Sequence, residues 1–227
     1  MKLLISSNKG GPGKSTIATN LAVEYQRLGN KTLLIEIDAT VTTASTWAND
    51  REEHEVPPLT VIRKGGNLAG TVEELGEAYD VVIIDAPGAD TRETRTAAVA
   101  VDALLVPVRT SQADVDEALK MRELIQDAQD RNPSLKSCAI LTQAPTNTFA
   151  SEITETKAAL EDYYDLAETV IYLRKAYQTA MSEGLGVIEG RDSKAKGEIQ
   201  NLAREIEEYI HCLLYTSDAA DEEDSVD

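Results

Sequence analysis

The chain has 227 residues, a formal charge of −18 and a mean hydropathy of −0.29. This length fits one domain of ordinary size with a sizeable core. The acidity argues against a chain coated with basic surface for nucleic acid, although a local basic patch is compatible with it. Two cysteines, no signal peptide and no apolar run near the roughly 20 residues of a membrane helix predict a reduced, cytoplasmic protein.

Short β-branched runs alternate along the chain with longer amphipathic stretches, a pattern typical of a parallel sheet covered by helices on both faces. Strands are predicted at Leu3 to Ser6, Thr32 to Ile37, Leu59 to Arg63, Asp80 to Asp85, Ala103 to Val108, Ser137 to Thr142 and Glu168 to Tyr172. Helices are predicted at Ser15 to Leu28, Thr43 to Arg51, Asn67 to Glu77, Thr91 to Val99, Ala113 to Asp130, Ser151 to Tyr163, Ala176 to Glu183 and Lys196 to Ile210. We therefore expect an α/β fold with a doubly wound, mostly parallel sheet, in one domain over residues 1–211.

The last sixteen residues, 212–227, contain no Lys or Arg, and from Thr216 onward they are acidic and rich in small residues. The segment from Cys212 to Glu222 matches, residue for residue, the conceptual translation of a transposon-end adapter used in sequencing libraries. Our hypothesis is that this segment is adapter translation, and resequencing that found genomic codons for it would refute the idea. A natural acidic tail is the alternative, and both interpretations predict no fold there.

A glycine-rich loop follows the first predicted strand and precedes the first predicted helix. Backbone N–H groups and the positive end of the helix dipole converge in such a loop, which suits a polyphosphate. Lys14 is predicted to meet the β and γ phosphates of a nucleotide, Ser15 to place its hydroxyl on Mg²⁺, and Thr16 to reach the α-phosphate. The candidate nucleotide-binding residues of this loop are Gly10, Gly11, Pro12, Gly13, Lys14, Ser15 and Thr16.

The ordinary P-loop pattern G-x-x-x-x-G-K-S/T is broken at Asn8, where its first glycine would fall. The loop instead matches the deviant form K-G-G-x-G-K-S/T, whose extra lysine is Lys9, and in this the chain resembles the ParA/MinD family of ATPases. In that family the extra lysine reaches across a nucleotide-sandwich dimer to the phosphates of the partner. The resemblance therefore implies ATP and Mg²⁺ as ligands, a homodimer closed by ATP, and a trans-acting role for Lys9. A chance glycine-rich turn with solvated lysines is the alternative.

Two carboxylates end predicted strands, Asp38 after the second and Asp85 after the fourth. A doubly wound sheet presents ligand groups at these carboxyl ends. Asp85 is predicted to hold Mg²⁺ through water, and the turn that ends at Gly88 to sense the γ-phosphate. The family usually reads D-x-D-P-Q around Asp38, with Glu36 here replacing the first aspartate, and the resemblance implies that Asp38 positions the attacking water. An ordinary turn role for Asp38 is the alternative.

Two later segments extend the resemblance. Gln143 follows the sixth predicted strand, where many relatives carry Asn-Arg, and it is the candidate contact to the nucleotide base. Because Gln143 departs from that pattern, adenine selection depends on the resemblance alone. The stretch from Val170 to Ile188 resembles a late segment of small plasmid-partition ParA proteins, which places it near the base and the dimer edge. Its alternative is an ordinary strand, turn and helix with Arg174 as a solvated surface charge.

These motifs together predict a ParA-type ATPase for partition of plasmid or chromosomal DNA. The ATP dimer would bind DNA without sequence preference on the nucleoid, and a ParB-like centromere-binding partner would stimulate slow hydrolysis. Basic residues of the last third form either a DNA-binding patch or a solvated face. They are Arg174, Lys175, Arg191, Lys194, Lys196 and Arg204.

Two other functions remain open at this point. A MinD-like ATPase that positions another cargo is one, but the helix from Glu198 to Ile210 has an acidic face that anionic lipid would repel, so no membrane partner is expected. A metabolic ligase of the dethiobiotin synthase type is the other. It would form product from a small substrate without stimulation by DNA.

Overall fold

The computed structural model describes residues 1–38, 40–146 and 151–211, so both predictions for the segment 212–227 lie outside the described residues. The strands are β1 (Lys2–Ile5), β2 (Thr32–Glu36), β3 (Thr60–Arg63), β4 (Val81–Asp85), β5 (Ala103–Arg109), β6 (Lys136–Thr142) and β7 (Asp165–Leu166). They form one sheet in the order β3-β2-β4-β1-β5-β6-β7, and all six neighbouring pairs are parallel. The predicted α/β, doubly wound sheet is confirmed.

Helices cover both faces of this sheet. They are α1 (Lys14–Arg27), α2 (Thr43–Arg51), α3 (Ala69–Ala78), α4 (Arg92–Ala98), α5 (Gln112–Gln129), α6 (Glu152–Leu160), α7 (Lys175–Ser182) and α8 (Ser193–His211). A single 3-10 turn, Val187–Glu189, joins α7 to α8. None of the described helices is long and apolar enough to cross a membrane.

Local sequence explains where several helices begin and end. The Ser111 hydroxyl accepts a hydrogen bond from the Asp114 N–H at the start of α5, and Thr91 caps α4 in the same way through Thr94. After α1 the chain turns at Gly29, whose φ of 94° is easiest for glycine. The predicted helix stop at Gly29 is therefore confirmed.

The sheet separates two hydrophobic cores because its strands alternate their side chains between the faces. In β1, Leu3 and Ile5 pack with α1, α2, α7 and α8, whereas Leu4 packs with α3, α4, α5 and α6. All three side chains are essentially unexposed. Strands buried on both faces explain the continuous apolar runs in the sequence.

The prediction of a last strand at Glu168 to Tyr172 is wrong. The pairing with β6 occurs earlier, at Asp165–Leu166, and Tyr172 makes only an isolated bridge to Ala144. The cause is Glu205 of α8, whose carboxylate accepts hydrogen bonds from the N–H groups of Glu168 and Thr169. The N–H groups of Ala167 and Ile171 still donate to Ala139 and Leu141 of β6, so the ladder is interrupted between them.

The end of α8 packs against the amino ends of the strands. Lys136 Nζ donates to the carbonyl oxygens of Tyr209 at 2.7 Å and Ile210 at 2.8 Å, which satisfies the last turn of the helix. The Tyr209 hydroxyl donates to Asp165 Oδ2 at 2.6 Å. A cleft of about 1180 Å³ lies here, bordered by Met1, Lys136 and His211 among others. The glycine-rich loop lies at the opposite, carboxyl edge.

Candidate functional site

The loop between β1 and α1 turns on two glycines with left-handed backbone, Gly11 at φ 94° and Gly13 at φ 91°. A side chain at either position would be strained. Gly13 directly precedes α1 and makes no side-chain cap, so the first N–H groups of the helix remain available. With the positive end of the helix dipole behind them, these groups form a site suited to an anion such as a polyphosphate.

Lys14 is the buried cation of this loop, with a relative exposure of 7%. Its Nζ donates to the carbonyl oxygen of Lys9 at 2.9 Å and to Ser7 Oγ at 3.3 Å. Burial lowers the pKa of Lys14, while the negative charges of Asp85 and Asp38 act in the opposite direction. The ammonium group is thus held in place by neutral oxygens and gains from any further negative charge brought beside it.

Asp85 ends β4 at the carboxyl edge, in register with Ile5 of β1 and Glu36 of β2. Burial raises the pKa of Asp85 to about 7, against the hydrogen bond from Ser15 and the charge of Lys14. Within the described chain, no hydrogen-bond partner reaches its buried Oδ1 atom. A desolvated carboxylate oxygen beside a hydroxyl at a phosphate-binding loop fits Mg²⁺, which prefers such oxygen ligands together with water and phosphate.

Asp38 follows β2 and is half-buried. Its Oδ1 accepts hydrogen bonds from the N–H and hydroxyl of Thr40, both at 2.8 Å, and from the N–H of Val41 at 3.0 Å. Burial raises the pKa of Asp38, but these bonds and the charge of Lys14 outweigh it, so the pKa lies below its usual range. Asp38 is therefore a carboxylate at neutral pH, with its orientation fixed by its own loop.

The side chain of Lys9 differs from that of Lys14 in its partner and in its exposure. Its Nζ is 3.2 Å from Asp114 Oδ2 on α5, and the Lys9 side chain is about one-third exposed while that of Asp114 is buried. Asp114 is shared with Arg109, whose Nε is 3.1 Å from Oδ1, and with the Ser111 hydroxyl. The carbonyl oxygen of Lys9 thus accepts a hydrogen bond from Lys14 within the loop. The Lys9 side chain is paired with Asp114 of α5, outside the loop.

The end of β6 packs against the loop between β1 and α1. The Thr142 hydroxyl donates to the carbonyl oxygen of Pro12 at 2.8 Å, and Gln143 Nε2 donates to that of Gly11 at 2.6 Å. Gln143 has a φ of 49°, the one left-handed residue other than glycine among those described. Its side chain is thus held against the loop.

The turn after Asp85 also contacts the loop. A Cβ atom built on Gly88 would lie 2.6 Å from the nitrogen of Gly10 and 2.8 Å from the carbonyl carbon of Lys9. Only glycine permits this approach of two backbones. The turn after β4 and the glycine-rich loop are therefore in direct backbone contact.

Comparison with known proteins assigns the chain to a family. The family model of the CobQ/CobB/MinD/ParA nucleotide binding domain matches residues 3–212. The chain belongs to this family. Its curated relatives include the maintenance of carboxysome distribution protein A of Halothiobacillus neapolitanus, 27% identical over 214 residues, which are 90% of this chain and 95% of that protein. Protein ParA of Rhizobium radiobacter is 25% identical over 208 residues, 90% of each chain.

Solved structures agree on the fold. The MinD cell division protein of Aquifex aeolicus superimposes with a TM-score of 0.70 at 20% identity, covering 90% of this chain and 95% of that one. Cobyrinic acid a,c-diamide synthase of Mycobacterium smegmatis superimposes with a TM-score of 0.64 at 18% identity, covering 80% and 92%. At these identities the likeness shows the fold alone, and it includes both a cell division protein and a synthase.

In this member of the MinD/ParA family, the stretch from Val170 to Ile188 packs against the rest of the domain. Arg174 is not a solvated charge, because its Nε is 2.6 Å from Glu198 Oε1 and its side chain is only 17% exposed. Glu198 also accepts a hydrogen bond from the Tyr177 hydroxyl at 2.8 Å. Arg174 therefore contributes little to a DNA-binding patch, whereas Lys175 and Lys194 are exposed.

Sequence reasoning missed a buried clamp at the end of this stretch. Arg51 of α2 is 3% exposed and pairs with both carboxylate oxygens of Glu189, at 2.9 and 2.8 Å. A Cβ on Gly184 would lie 2.2 Å from the Arg51 nitrogen, so the backbones touch. On α1, Asn20 Oδ1 accepts from the N–H of Val187 at 2.7 Å. Gly184, Val187 and Glu189 thus join the end of this stretch to α1 and α2.

Proposed function

We propose that this protein is an Mg²⁺-dependent ATPase of the ParA type, which partitions DNA by ATP-dependent dimerisation and slow, partner-stimulated hydrolysis. The observation that supports this most is the different placement of two lysines in one loop. Lys14 is buried at the phosphate-binding backbone, whereas Lys9 is partly exposed and paired outside it with Asp114. A second cation of this kind suits a role at the site of another subunit.

The chain's own residues divide the work of phosphoryl transfer, which needs positioning and charge neutralisation more than covalent chemistry. Lys14 and the backbone N–H groups of Gly10, Gly11 and residues 13–16 would bind the phosphates, and Gln143 is the candidate contact to the base. Ser15 and Asp85 would hold Mg²⁺, Asp85 through water, and the ion supplies neutralisation of phosphate charge. Asp38 remains ionised and orients the attacking water by accepting its hydrogen bond.

The trans role of Lys9 is testable by complementation. Lys9→Ala and Asp38→Ala should each abolish hydrolysis while retaining ATP binding, and Lys14→Ala should abolish binding. In a mixed dimer of the first two variants, the Lys9→Ala subunit keeps its own Asp38 and receives Lys9 from its partner. An equal mixture should therefore recover about a quarter of wild-type turnover, since half the dimers are mixed and each holds one intact site. No recovery would mean that Lys9 acts within its own subunit.

The DNA-binding part of the proposal rests on exposed lysines of α7 and α8, chiefly Lys175 and Lys194. Binding through phosphate contacts weakens steeply with salt. We expect affinity for random-sequence duplex DNA only with ATP, reduced by Lys175→Gln with Lys194→Gln and little changed by Lys120→Gln, an exposed lysine on the other face. DNA affinity that is absent with ATP, or indifferent to these lysines, contradicts this part. A ParB-like protein encoded beside the gene should raise the hydrolysis rate.

Positioning of a protein cargo is a second candidate, favoured by the relatives named for carboxysome distribution. It shares the ATPase cycle and differs only in the partner that stimulates it. A purified neighbouring gene product that binds the ATP form and no centromere sequence would support it. The ligase alternative differs in chemistry, since ATP consumption would then require a small-molecule substrate and yield a stoichiometric product. Hydrolysis without such a substrate argues against a ligase.

A further inference from the structure

One buried carboxylate at the carboxyl edge has no part in the mechanism above. Glu36, the last residue of β2, is 1% exposed. It lies in register with Asp85 on one side and Arg63 on the other. A buried negative charge beside a second carboxylate is unfavourable unless specific groups compensate it. The contacts of Glu36 identify these groups.

The first compensating group is the start of α2. Glu36 Oε1 accepts from the N–H of Ala44 at 2.8 Å, and Oε2 accepts from the Ser45 hydroxyl at 2.5 Å. Thr42, the residue at the N-cap position, makes no side-chain capping bond of its own. Glu36 thus serves as the N-terminal cap of α2 from a neighbouring strand, and its charge lies at the positive end of the helix dipole.

The second compensating group is Arg63, on the edge strand β3. Its Nε is 3.5 Å from Glu36 Oε2, and its Nη2 donates to the carbonyl oxygen of Asp38 at 3.3 Å. The guanidinium therefore contacts both Glu36 and the backbone of Asp38. Through these contacts Glu36 and Arg63 link the end of β2, the backbone of Asp38 and the start of α2.

We propose that Glu36 and Arg63 are positioning residues for Asp38: they fix the connection from β2 to α2 and thereby the direction of the Asp38 carboxylate. The inference rests on the proposed ATPase function for its kinetic readout. In this proposal both residues act through Asp38 and not through a contact of their own with the nucleotide. Glutamate suits this place because its carboxylate spans two donors of α2 while facing Arg63, a combination that glutamine satisfies only in part since it lacks the charge.

The kinetic experiment compares ATP hydrolysis by the full chain with that of Glu36→Gln and Arg63→Gln. Because the phosphate-binding loop is untouched, the KM for ATP should stay within about threefold, while kcat falls about 10- to 100-fold, the cost of misplacing a reacting group by about 1 Å. Glu52→Gln is the matched control, since this exposed glutamate lies at the other end of α2. It should leave both constants unchanged. A wild-type kcat in Glu36→Gln overturns the proposal.

A rescue variant separates positioning from helix stability. Thr42→Asp supplies a local N-cap to α2, so in the Glu36→Gln background it should restore the thermal midpoint. It should not restore kcat, because the link between Glu36, Arg63 and Asp38 is still broken. Recovery of both quantities would reduce Glu36 to a helix cap and overturn its positioning role.

Hydrogen–deuterium exchange gives a readout that does not need turnover. In Glu36→Gln, amides of the peptide spanning residues 38–46 should exchange faster, with those of α1 unchanged. If the wild-type protein does not hydrolyse ATP but this change occurs, the proposed ATPase function fails and the fastening of the Asp38 segment stands. Unchanged exchange in this peptide refutes the fastening whether or not ATP is hydrolysed.

Discussion

Replacing Gly88 by alanine tests how rigidly the turn after β4 is joined to the phosphate-binding loop. The added Cβ would lie 2.6 Å from the nitrogen of Gly10, 2.8 Å from the carbonyl carbon of Lys9 and 2.9 Å from the Gly10 Cα. All three are backbone atoms, so no rotamer change relieves the contact. Restoring an ordinary separation of about 3.5 Å requires a shift of roughly 0.5–1 Å.

A displacement of this size at the loop that carries Lys14 should lower turnover by about 10- to 100-fold. Overpacking should also reduce the free energy of unfolding by about 1–3 kcal/mol. Steady-state hydrolysis, titration with a fluorescent ATP analogue and urea denaturation measure the three quantities. Gly65→Ala is the matched control, because a Cβ there has no neighbour within 4 Å. Wild-type affinity and turnover in Gly88→Ala would show that the two segments are not in rigid contact.

The remaining predictions concern three carboxylates. Glu189→Ala leaves the buried Arg51 without its carboxylate and should cost about 3 kcal/mol of unfolding free energy in urea; a loss below about 1 kcal/mol contradicts a buried clamp. Burial raises the pKa of Asp85 to about 7, so the stability from its protonated form is present at low pH and lost as the pH rises through 7. The unfolding free energy of nucleotide-free Asp85→Asn, measured in urea relative to wild type, should therefore increase by about 2–3 kcal/mol as the pH is raised from about 5 to about 8. Asp114→Asn releases Lys9 from its own subunit and should increase the fraction of ATP-bound dimer in analytical ultracentrifugation, whereas an unchanged or smaller fraction contradicts a restraining role.

The sheet and the loop could be predicted from sequence because both are encoded by neighbours in the chain. Apolar runs define the strands, and Gly11 and Gly13 supply the backbone conformations that the loop needs. Pairings between distant residues leave no such local signal. Nothing near Arg174 indicates that Glu198 neutralises it, and nothing near Glu168 indicates that a carboxylate of α8 will interrupt the last strand.

Glu36 lies between these cases. The sequence shows that glutamate replaces the aspartate usual in the family, but a difference of one methylene group does not reveal a partner. Its role as the cap of α2 depends on the register of β2 with its neighbours and on the absence of a cap from Thr42. Such a role follows from three-dimensional placement, which residue type alone does not give.

The anchoring of the last turn of α8 by Lys136 has a practical consequence for labelling. His211 is exposed at the amino edge of the sheet, whereas the nucleotide loop lies at the carboxyl edge. With Cys138 and Cys212 replaced, a fluorophore attached through His211→Cys would be held on a helix end remote from the nucleotide loop. It would report the rotation and brightness of single molecules without obstructing the nucleotide loop.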